Sequence, residues 1–203
     1  MSYKKKVALI FGISGQDGIY LSKLLIDKNY TVIGTSRIKR NQISDFKKVG
    51  IKKKISIHKV NPQNEKTVME IIKKTKCNEI YYFSGISSVS YSFQHPEETL
   101  TANTRGIINI LESCRQIDKK IKIYNASTGE CFGSSKKAFN ESSRFSPNSP
   151  YALSKTLNSY IVKNYRDNLG MWVVNGFSFN HDSPPGPKNY ILNKISNYVK
   201  VKP

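Results

Sequence analysis

Residues 6–18 read KVALIFGISGQDG, an apolar run that leads into three glycines. The run Val7–Phe11 has the length and apolar character of a strand that is buried on both faces of a sheet. Apolar residues at helical spacing follow in the segment 19–25. Strand, glycine turn and helix in this order are the context of a dinucleotide-binding fingerprint. The plainer alternative is an ordinary loop between a strand and a helix.

Each glycine of this turn has a physical role in such a fingerprint. Gly12 permits the tight turn, Gly15 lets the backbone approach a pyrophosphate, and Gly18 allows close packing of helix on strand. The helix would then direct its free N–H groups at the phosphates. The residues predicted to bind the cofactor here are Gly12, Gly15, Gln16, Asp17 and Gly18.

The end of the second predicted strand indicates which nicotinamide cofactor is bound. An NAD site normally places Asp or Glu at this point, about 20 residues beyond the glycines, to bind the ribose 2′-hydroxyl. Here Ser36 and Arg37 stand instead, and a guanidinium binds a 2′-phosphate in a bidentate way. The sequence therefore favours NADP over NAD, with Arg37 as a ligand. The alternative is that Arg37 is a solvated cation in a basic chain.

The candidate catalytic residues follow the fifth predicted strand and open the helix after it. Thr128 and Glu130 come at the carboxyl end of that strand, where parallel sheets bind ligands. Tyr151 and Lys155 are four residues apart, so they share one face of a helix. A tyrosine phenol has an ordinary pKa near 10, and a neighbouring ammonium stabilises the phenolate. This spacing also arises by chance in helices, and it gains weight from the glycine turn and from Thr128.

Taken together, these motifs resemble the extended short-chain dehydrogenase/reductase family and, within it, the GDP-mannose 4,6-dehydratases. The resemblance covers nearly the whole chain and is carried by five stretches: Gly12–Leu21, Asn125–Gly133, Ser149–Lys155, Asn164–Arg166 and Asn175–Pro184. The last of these is the most specific to the dehydratases.

The resemblance implies a role for each candidate catalytic residue. Tyr151 would remove the proton from the hydroxyl on sugar carbon 4 while NADP takes the hydride. Glu130 would abstract the proton from carbon 5 as water leaves carbon 6, and the hydride would return to carbon 6. Lys155 would support the tyrosine and the nicotinamide ribose, so that Tyr151 and Lys155 would also contact the cofactor, and Thr128 would orient the carbon 4 oxygen. Ser87, Asn180 and Lys194 match positions near the nucleotide-sugar substrate.

Two stretches depart from the family pattern. Residues 57–61 hold no carboxylate where the family usually has an adenine-binding Asp, and Lys59 stands about there. Residues 84–89 keep only Ser87 and Val89 of the usual pattern near the sugar. The identity of the sugar nucleotide therefore stays open at this point.

The alternation of segments predicts an α/β fold, a Rossmann-like doubly wound parallel sheet. Strands are expected near residues 6–11, 30–35, 55–60, 79–84, 121–126 and 171–177, and helices near 18–28, 64–76, 97–117 and 151–168. We expect residues 1–179 to form the NADP-binding domain with the catalytic residues, and residues 180–203 to begin a substrate-binding lobe. Members of the family are longer than 203 residues, so we expect a fragment, a truncated product or a chain completed by a partner.

Composition limits the other function classes. No apolar run approaches the roughly 18 residues that a membrane helix needs, so we expect no membrane contact. The three cysteines and three histidines do not cluster, which predicts a reducing cytoplasm and no metal site. The net charge of +19 raises the alternative of nucleic-acid binding. The lysines, however, are spread along the chain without interleaved aromatic residues, so we expect no specific nucleic acid.

The sequence thus predicts an NADP-dependent nucleotide-sugar 4,6-dehydratase that acts on GDP-mannose, with homo-oligomers expected by analogy. One alternative is a nucleotide-sugar 4-epimerase or reductase of the same superfamily. The other is a cofactor-binding fragment without catalytic activity.

Overall fold

The computed structural model describes residues 5–37, 45–51, 54–136, 138–183, 195–196 and 198–199. Six strands lie in this part of the chain: β1 Val7–Phe11, β2 Thr31–Ser36, β3 Ile55–Lys59, β4 Glu79–Tyr82, β5 Lys122–Thr128 and β6 Val173–Ser178. The helices are α1 Gln16–Asp27, α2 Asp45–Lys48, α3 Glu65–Thr75, α4 Val89–Gln94, α5 Pro96–Ile117 and α6 Pro150–Leu169. A short 3-10 helix, Gly129–Phe132, follows β5.

The strands form one parallel sheet in the order β3-β2-β1-β4-β5-β6. This is the order of a doubly wound dinucleotide-binding fold, whose strand order reverses between β1 and β4. A crevice opens outside the carboxyl ends of the strands at that point, and ligands bind there. The predicted fold class is confirmed.

The two faces of β1 explain why its sequence is a continuous apolar run. Leu9 and Phe11 belong to the core on one face, which is completed by α3, α5 and α6. Ala8 and Ile10 belong to the core on the other face, which is completed by α1 and α2. All four side chains are fully buried, as expected for the central strand of a sheet with helices on both faces.

Local capping sets the boundaries of the helix that carries the Tyr-Lys pair. The Ser149 side chain accepts the N–H of Ala152 at 3.1 Å, and Pro150 occupies the first turn of α6. The helix ends at Gly170, which has a φ of 66°, a left-handed conformation that glycine adopts without strain. These signals are local, which explains why the predicted and observed boundaries of α6 agree within one residue.

The sequence prediction did not include α2, α4 or the 3-10 helix. The predicted start of a second lobe at residue 180 lies mostly outside the described residues, and the division into two domains stays a prediction. None of the described helices is both long enough and apolar enough to cross a membrane.

Candidate active site

The glycine turn between β1 and α1 is held closely against its neighbours. The N–H groups of Gly12 and Ile13 both donate to the carbonyl of Thr35, at 3.2 Å each. Gly12 has a φ of +83°, and a Cβ there would lie 2.8 Å from the Ser84 nitrogen. The first N–H groups of an α-helix have no intrahelical partner, and Gly15, which caps α1, has no side chain to occupy them. The turn therefore offers backbone donors to an anion.

Two cavities flank this turn at the carboxyl edge of the sheet. The first measures about 280 Å³ and the second about 300 Å³, and Gly15 and Phe83 line both. A dinucleotide consists of two nucleosides joined by a diphosphate. A pair of cavities that meet at a phosphate-binding turn fits this shape, with the diphosphate over the turn.

The wall of the first cavity includes the residues predicted to bind the 2′-phosphate of NADP. Arg37 lies in its wall beyond β2, and the Ser36 hydroxyl donates to that of Ser14 at 3.0 Å. The wall beyond β3 includes Val60 and Asn61. Lys59, which stands about where the family has its adenine-binding Asp, is exposed within β3 and does not line this cavity, whereas Asn61 does.

The second cavity brings together most of the predicted catalytic and substrate residues. Its wall includes Thr128 from the end of β5, Tyr151 and Lys155 from α6, Ser87 from the loop after β4, and Asn180 from the segment after β6. On the side of the glycine turn, this wall also includes Gly15, Gln16, Asp17 and Gly18. Residues from five places in the chain thus meet because the carboxyl ends of parallel strands share one edge of the sheet.

The Thr128 hydroxyl can donate a hydrogen bond into the second cavity. Its Oγ1 accepts the backbone N–H of Glu130 at 3.3 Å, which leaves the hydroxyl hydrogen to point elsewhere. Thr128 lies in the cavity wall, so this hydrogen is available to an oxygen atom of a bound substrate.

Lys155 is a buried cation. Its side chain donates to the carbonyl of Ala126 at 2.9 Å, and the residue is only 7% exposed. Burial lowers the pKa of Lys155 to about 8, because the charged form loses its hydration. The residue keeps most of its charge at neutral pH, close to Tyr151 on the same face of α6.

This burial predicts a gain in stability when the charge is removed. Between the ordinary pKa of 10.5 and the folded value of about 8, the penalty for the charged form is on the order of 3 kcal/mol. We expect Lys155→Met to raise the free energy of unfolding at pH 7, less the cost of the lost hydrogen bond. As the pH rises from about 8 to about 10.5, folded Lys155 becomes neutral before the unfolded residue does, so the advantage of Met shrinks.

Urea denaturation of both proteins across this pH range measures the effect. Lys163→Met, on an exposed part of α6, is the control and should show no such pH dependence. A variant less stable than the wild type, by an amount that does not change with pH, would contradict a buried charge at this position.

Of the predicted site residues, Glu130 does not line the second cavity, and Lys194 cannot be compared with it. Glu130 is half-buried in the 3-10 helix, two residues beyond Thr128, and does not belong to the cavity wall. The ring of Phe179, which does line the cavity, packs so closely on Gly129 that a Cβ there would lie 2.6 Å from it. Lys194 lies outside the described residues, and the roles assigned to both stay predictions.

Two polar residues of this region, one buried and one half-exposed, were not predicted from the sequence. Asn103, on α5, is fully buried: its Oδ1 accepts the N–H of Ile86 at 2.7 Å, and its Nδ2 donates to the Ser154 hydroxyl at 2.9 Å. Ser154 in turn donates to the Tyr151 carbonyl at 2.7 Å, so Asn103 joins the loop after β4 to the helix of the Tyr-Lys pair. The sequence feature that could have identified Asn103 is an asparagine at an apolar, core-facing position of a predicted helix. The other missed residue, His181, lies in the wall of the second cavity.

With this geometry established, the relationship to known proteins is clear. The sequence model of the family described as GDP-mannose 4,6 dehydratase matches residues 9–202. The chain belongs to this family. The resemblance stated from the motifs is confirmed. Of its stretches, Gly12–Leu21, Asn125–Gly133, Ser149–Lys155 and Asn175–Pro184 each contribute described residues to the cavity walls.

Curated GDP-mannose 4,6-dehydratases are similar to almost all of this chain. The Dictyostelium discoideum protein is 34% identical over 98% of this chain and 59% of its own length. The Sinorhizobium fredii protein is 36% identical over 95% of this chain and 57% of its own length. The chain thus spans little more than half the length of these relatives.

Solved structures match the fold at lower sequence identity. The dTDP-glucose 4,6-dehydratase DesIV from Streptomyces venezuelae has a TM-score of 0.85 at 19% identity, over 96% of this chain and 62% of its own. The UDP-glucose 4-epimerase from Thermus thermophilus has a TM-score of 0.82 at 20% identity, over 95% and 61%. Both kinds of enzyme therefore share this fold.

Proposed function

We propose that this chain is the cofactor-binding and catalytic part of a nucleotide-sugar 4,6-dehydratase that converts GDP-mannose to GDP-4-keto-6-deoxymannose. The observation that carries the proposal is the meeting of Thr128, Tyr151 and Lys155 with the glycine turn in one cavity. Membership of the GDP-mannose 4,6-dehydratase family supports the substrate and the reaction. A nicotinamide cofactor, when bound, would accept hydride from carbon 4 of the sugar and return hydride at carbon 6.

The chain's own residues would carry the proton transfers. The Tyr151 oxygen takes the proton from the carbon 4 hydroxyl, and the buried ammonium of Lys155 stabilises the resulting phenolate. Thr128 donates its hydroxyl hydrogen to the carbon 4 oxygen and holds it in place. Glu130 takes the proton from carbon 5 as water leaves carbon 6. This last step separates the reaction from 4-epimerisation, which needs no base at carbon 5.

We propose NADP rather than NAD as the cofactor. Arg37 lies in the wall of the first cavity beyond β2, where a 2′-phosphate would be placed. Dehydratase and epimerase structures with this fold contain bound NAD, so a nicotinamide dinucleotide suits the fold and Arg37 would select between NADP and NAD. At Gly15 a Cβ would meet only the Gly12 carbonyl oxygen, at 3.4 Å, so the turn is open there to the close approach of a diphosphate.

Replacing Arg37 tests this selection. We expect Arg37→Asp to weaken NADP binding by about 10- to 100-fold, because a charge-assisted bond to phosphate is replaced by repulsion. NAD affinity should change little. Isothermal titration calorimetry with each cofactor gives the ratio, and Arg105→Asp on the exposed surface of α5 is the matched control. Equal losses for NADP and NAD would contradict a role for Arg37 in selection.

Titration of the purified chain with NADP, NAD and GDP-mannose, followed by product analysis, tests the function itself. NADP binding together with a 4-keto-6-deoxy product supports the dehydratase. Binding of cofactor without turnover supports the alternative of a non-catalytic cofactor-binding fragment, and absence of cofactor binding refutes both. A 4-epimerised product would support the epimerase alternative, which is favoured by Glu130 lying outside the cavity wall.

We also propose that the chain forms a homo-oligomer through α6. Leu153, Leu157 and Tyr160 lie three or four residues apart on this helix, and each is at least 44% exposed. Such a stripe of large apolar side chains is typical of a helix that packs against another copy. The cytoplasmic location stays a prediction from the scattered cysteines, all three of which are buried and free.

A further inference from the structure

The segment that follows β6, residues 179–183, is held beside the glycine turn by hydrogen bonds to side chains of α1. The Asp17 carboxylate contacts His181 Nε2 at 2.9 Å, and Gln16 Oε1 accepts the N–H of Ser183 at 3.0 Å. The side chains of Gln16 and Asp17 therefore hold this segment, while both residues also line the second cavity.

The hydrogen bonds of His181 specify its protonation state. One ring nitrogen, Nδ1, lies 2.7 Å from the Phe179 carbonyl oxygen, and the other lies 2.9 Å from the Asp17 carboxylate. Both oxygens accept hydrogen bonds only, and neutral imidazole carries a single N–H. The two contacts are hydrogen bonds at the same time only when His181 is an imidazolium.

The surroundings favour this cation. The Phe179 carbonyl, followed by the Asp17 carboxylate, raises the pKa of His181 above its ordinary value of 6.5, and partial burial opposes them. Asp182, on the same segment, acts in the same direction. On the other side of the pair, the phenol of Tyr124 on β5 faces Asp17.

Asp17 would oppose a bound diphosphate if it stood alone. It lies in the first turn of α1, and the N-terminus of this helix is where the turn offers its donors to an anion. A negative charge there repels a diphosphate, and the charge of a neighbouring imidazolium cancels this repulsion.

We propose that protonated His181 neutralises Asp17 and latches residues 179–183 across the glycine turn, which makes the affinity for a diphosphate-linked cofactor depend on pH. This latch rests on the cofactor site proposed above. Below the folded pKa of His181 the latch is closed and the diphosphate meets no net charge from the pair. As the pH rises through that value, His181 loses its proton and one of its two hydrogen bonds. The negative charge of Asp17 is then no longer neutralised, and the affinity for the diphosphate-linked cofactor falls.

Nuclear magnetic resonance of the cofactor-free chain labelled with ¹⁵N-histidine tests the latch without any ligand. We expect His181 to be protonated on both nitrogens below its folded pKa and to titrate above its ordinary value of 6.5, and we expect this pKa to fall in Asp17→Asn. The variants His58→Gln and His95→Gln assign the other two signals. A His181 whose pKa is not raised above 6.5, or does not respond to Asp17→Asn, overturns the latch.

Calorimetric titration with NADP tests the consequence for binding. Between a pH below the folded pKa of His181 and a pH above it, the wild type should lose affinity by about five- to tenfold, as expected for an unpaired charge near a helix terminus. His181→Gln, which keeps a donor but no charge, should bind at all pH values as weakly as the wild type does at high pH. Asp17→Asn should bind tightly, with its remaining pH dependence moved to the lower pKa of His181, and the double variant Asp17→Asn/His181→Gln should bind tightly with no pH dependence.

The double variant makes the outcome decisive. Recovery of affinity when both residues are replaced supports charge neutralisation, and a double variant as weak as His181→Gln overturns it. His58→Gln, a change on β3 away from both cavity walls, should keep the wild-type pH profile. If no variant binds NADP, the proposed cofactor site fails, and the histidine titration still decides whether the latch exists.

Discussion

Replacing Tyr151 by Phe is expected to lower the rate of product formation from GDP-mannose by about 100- to 10,000-fold, the usual contribution of a general acid or base. The Phe ring fills almost the same volume in the half-buried site and lacks only the oxygen that takes the carbon 4 proton. Cofactor affinity should therefore fall by no more than about tenfold, since a lost neutral hydrogen bond contributes about 0.5 to 1.5 kcal/mol.

The comparison with Tyr160→Phe isolates the role of this oxygen. Tyr160 lies on the same helix, and its side chain is 56% exposed, so its hydroxyl should not affect turnover. Product formation is measured by mass spectrometry of the sugar nucleotide, and cofactor affinity by calorimetry. A Tyr151→Phe protein that keeps more than about half of the wild-type rate would exclude Tyr151 as the proton acceptor.

Replacing Glu130 by Gln is expected to stop the elimination step with a similar loss, of about 100- to 10,000-fold in the 4-keto-6-deoxy product. The amide keeps the size of the side chain but cannot take a proton from carbon 5. The backbone N–H of residue 130, which bonds to Thr128, is unchanged, so the fold and the cofactor affinity should be preserved.

Deuterium exchange separates the roles of the two residues. In deuterated water a competent base exchanges the proton at carbon 5, so the Glu130→Gln protein should show no deuterium at that carbon. Glu141→Gln, in the exposed loop before α6, serves as the control. Unchanged dehydration in Glu130→Gln would mean that this residue is a surface carboxylate, in accordance with its place outside the cavity wall.

The strands and long helices could be predicted to within a few residues because their signals are local. Val7–Phe11 is apolar at every position, and the helix of the Tyr-Lys pair has its own cap at Ser149 and its own stop at Gly170. The shortest helices were missed for the same reason. α2 has four residues and α4 has six, which is too few for a helical period to stand out from a loop.

The wall of the second cavity could be predicted in large part from motif order. The carboxyl ends of parallel strands meet at one edge, so residues after β1, β4, β5 and β6 are expected to converge once the strands are known. This rule places Gly15, Ser87, Thr128 and Asn180 at the cavity, and helical spacing adds Tyr151 beside Lys155.

Side-chain partners distant in the chain could not be predicted in this way. His181 and Asp17 are 164 residues apart, and Asn103 and Ser154 are 51 apart. Each pair is brought together by packing, and no local pattern records such a pairing. Chain order was therefore enough to determine the sheet, the glycine turn and the Tyr-Lys pair, because these depend on apolar periodicity, capping and spacing. Tertiary packing determined that Asn61 rather than Lys59 lies at the first cavity, that Glu130 lies outside the wall of the second cavity, and that His181 pairs with Asp17 beside the glycine turn.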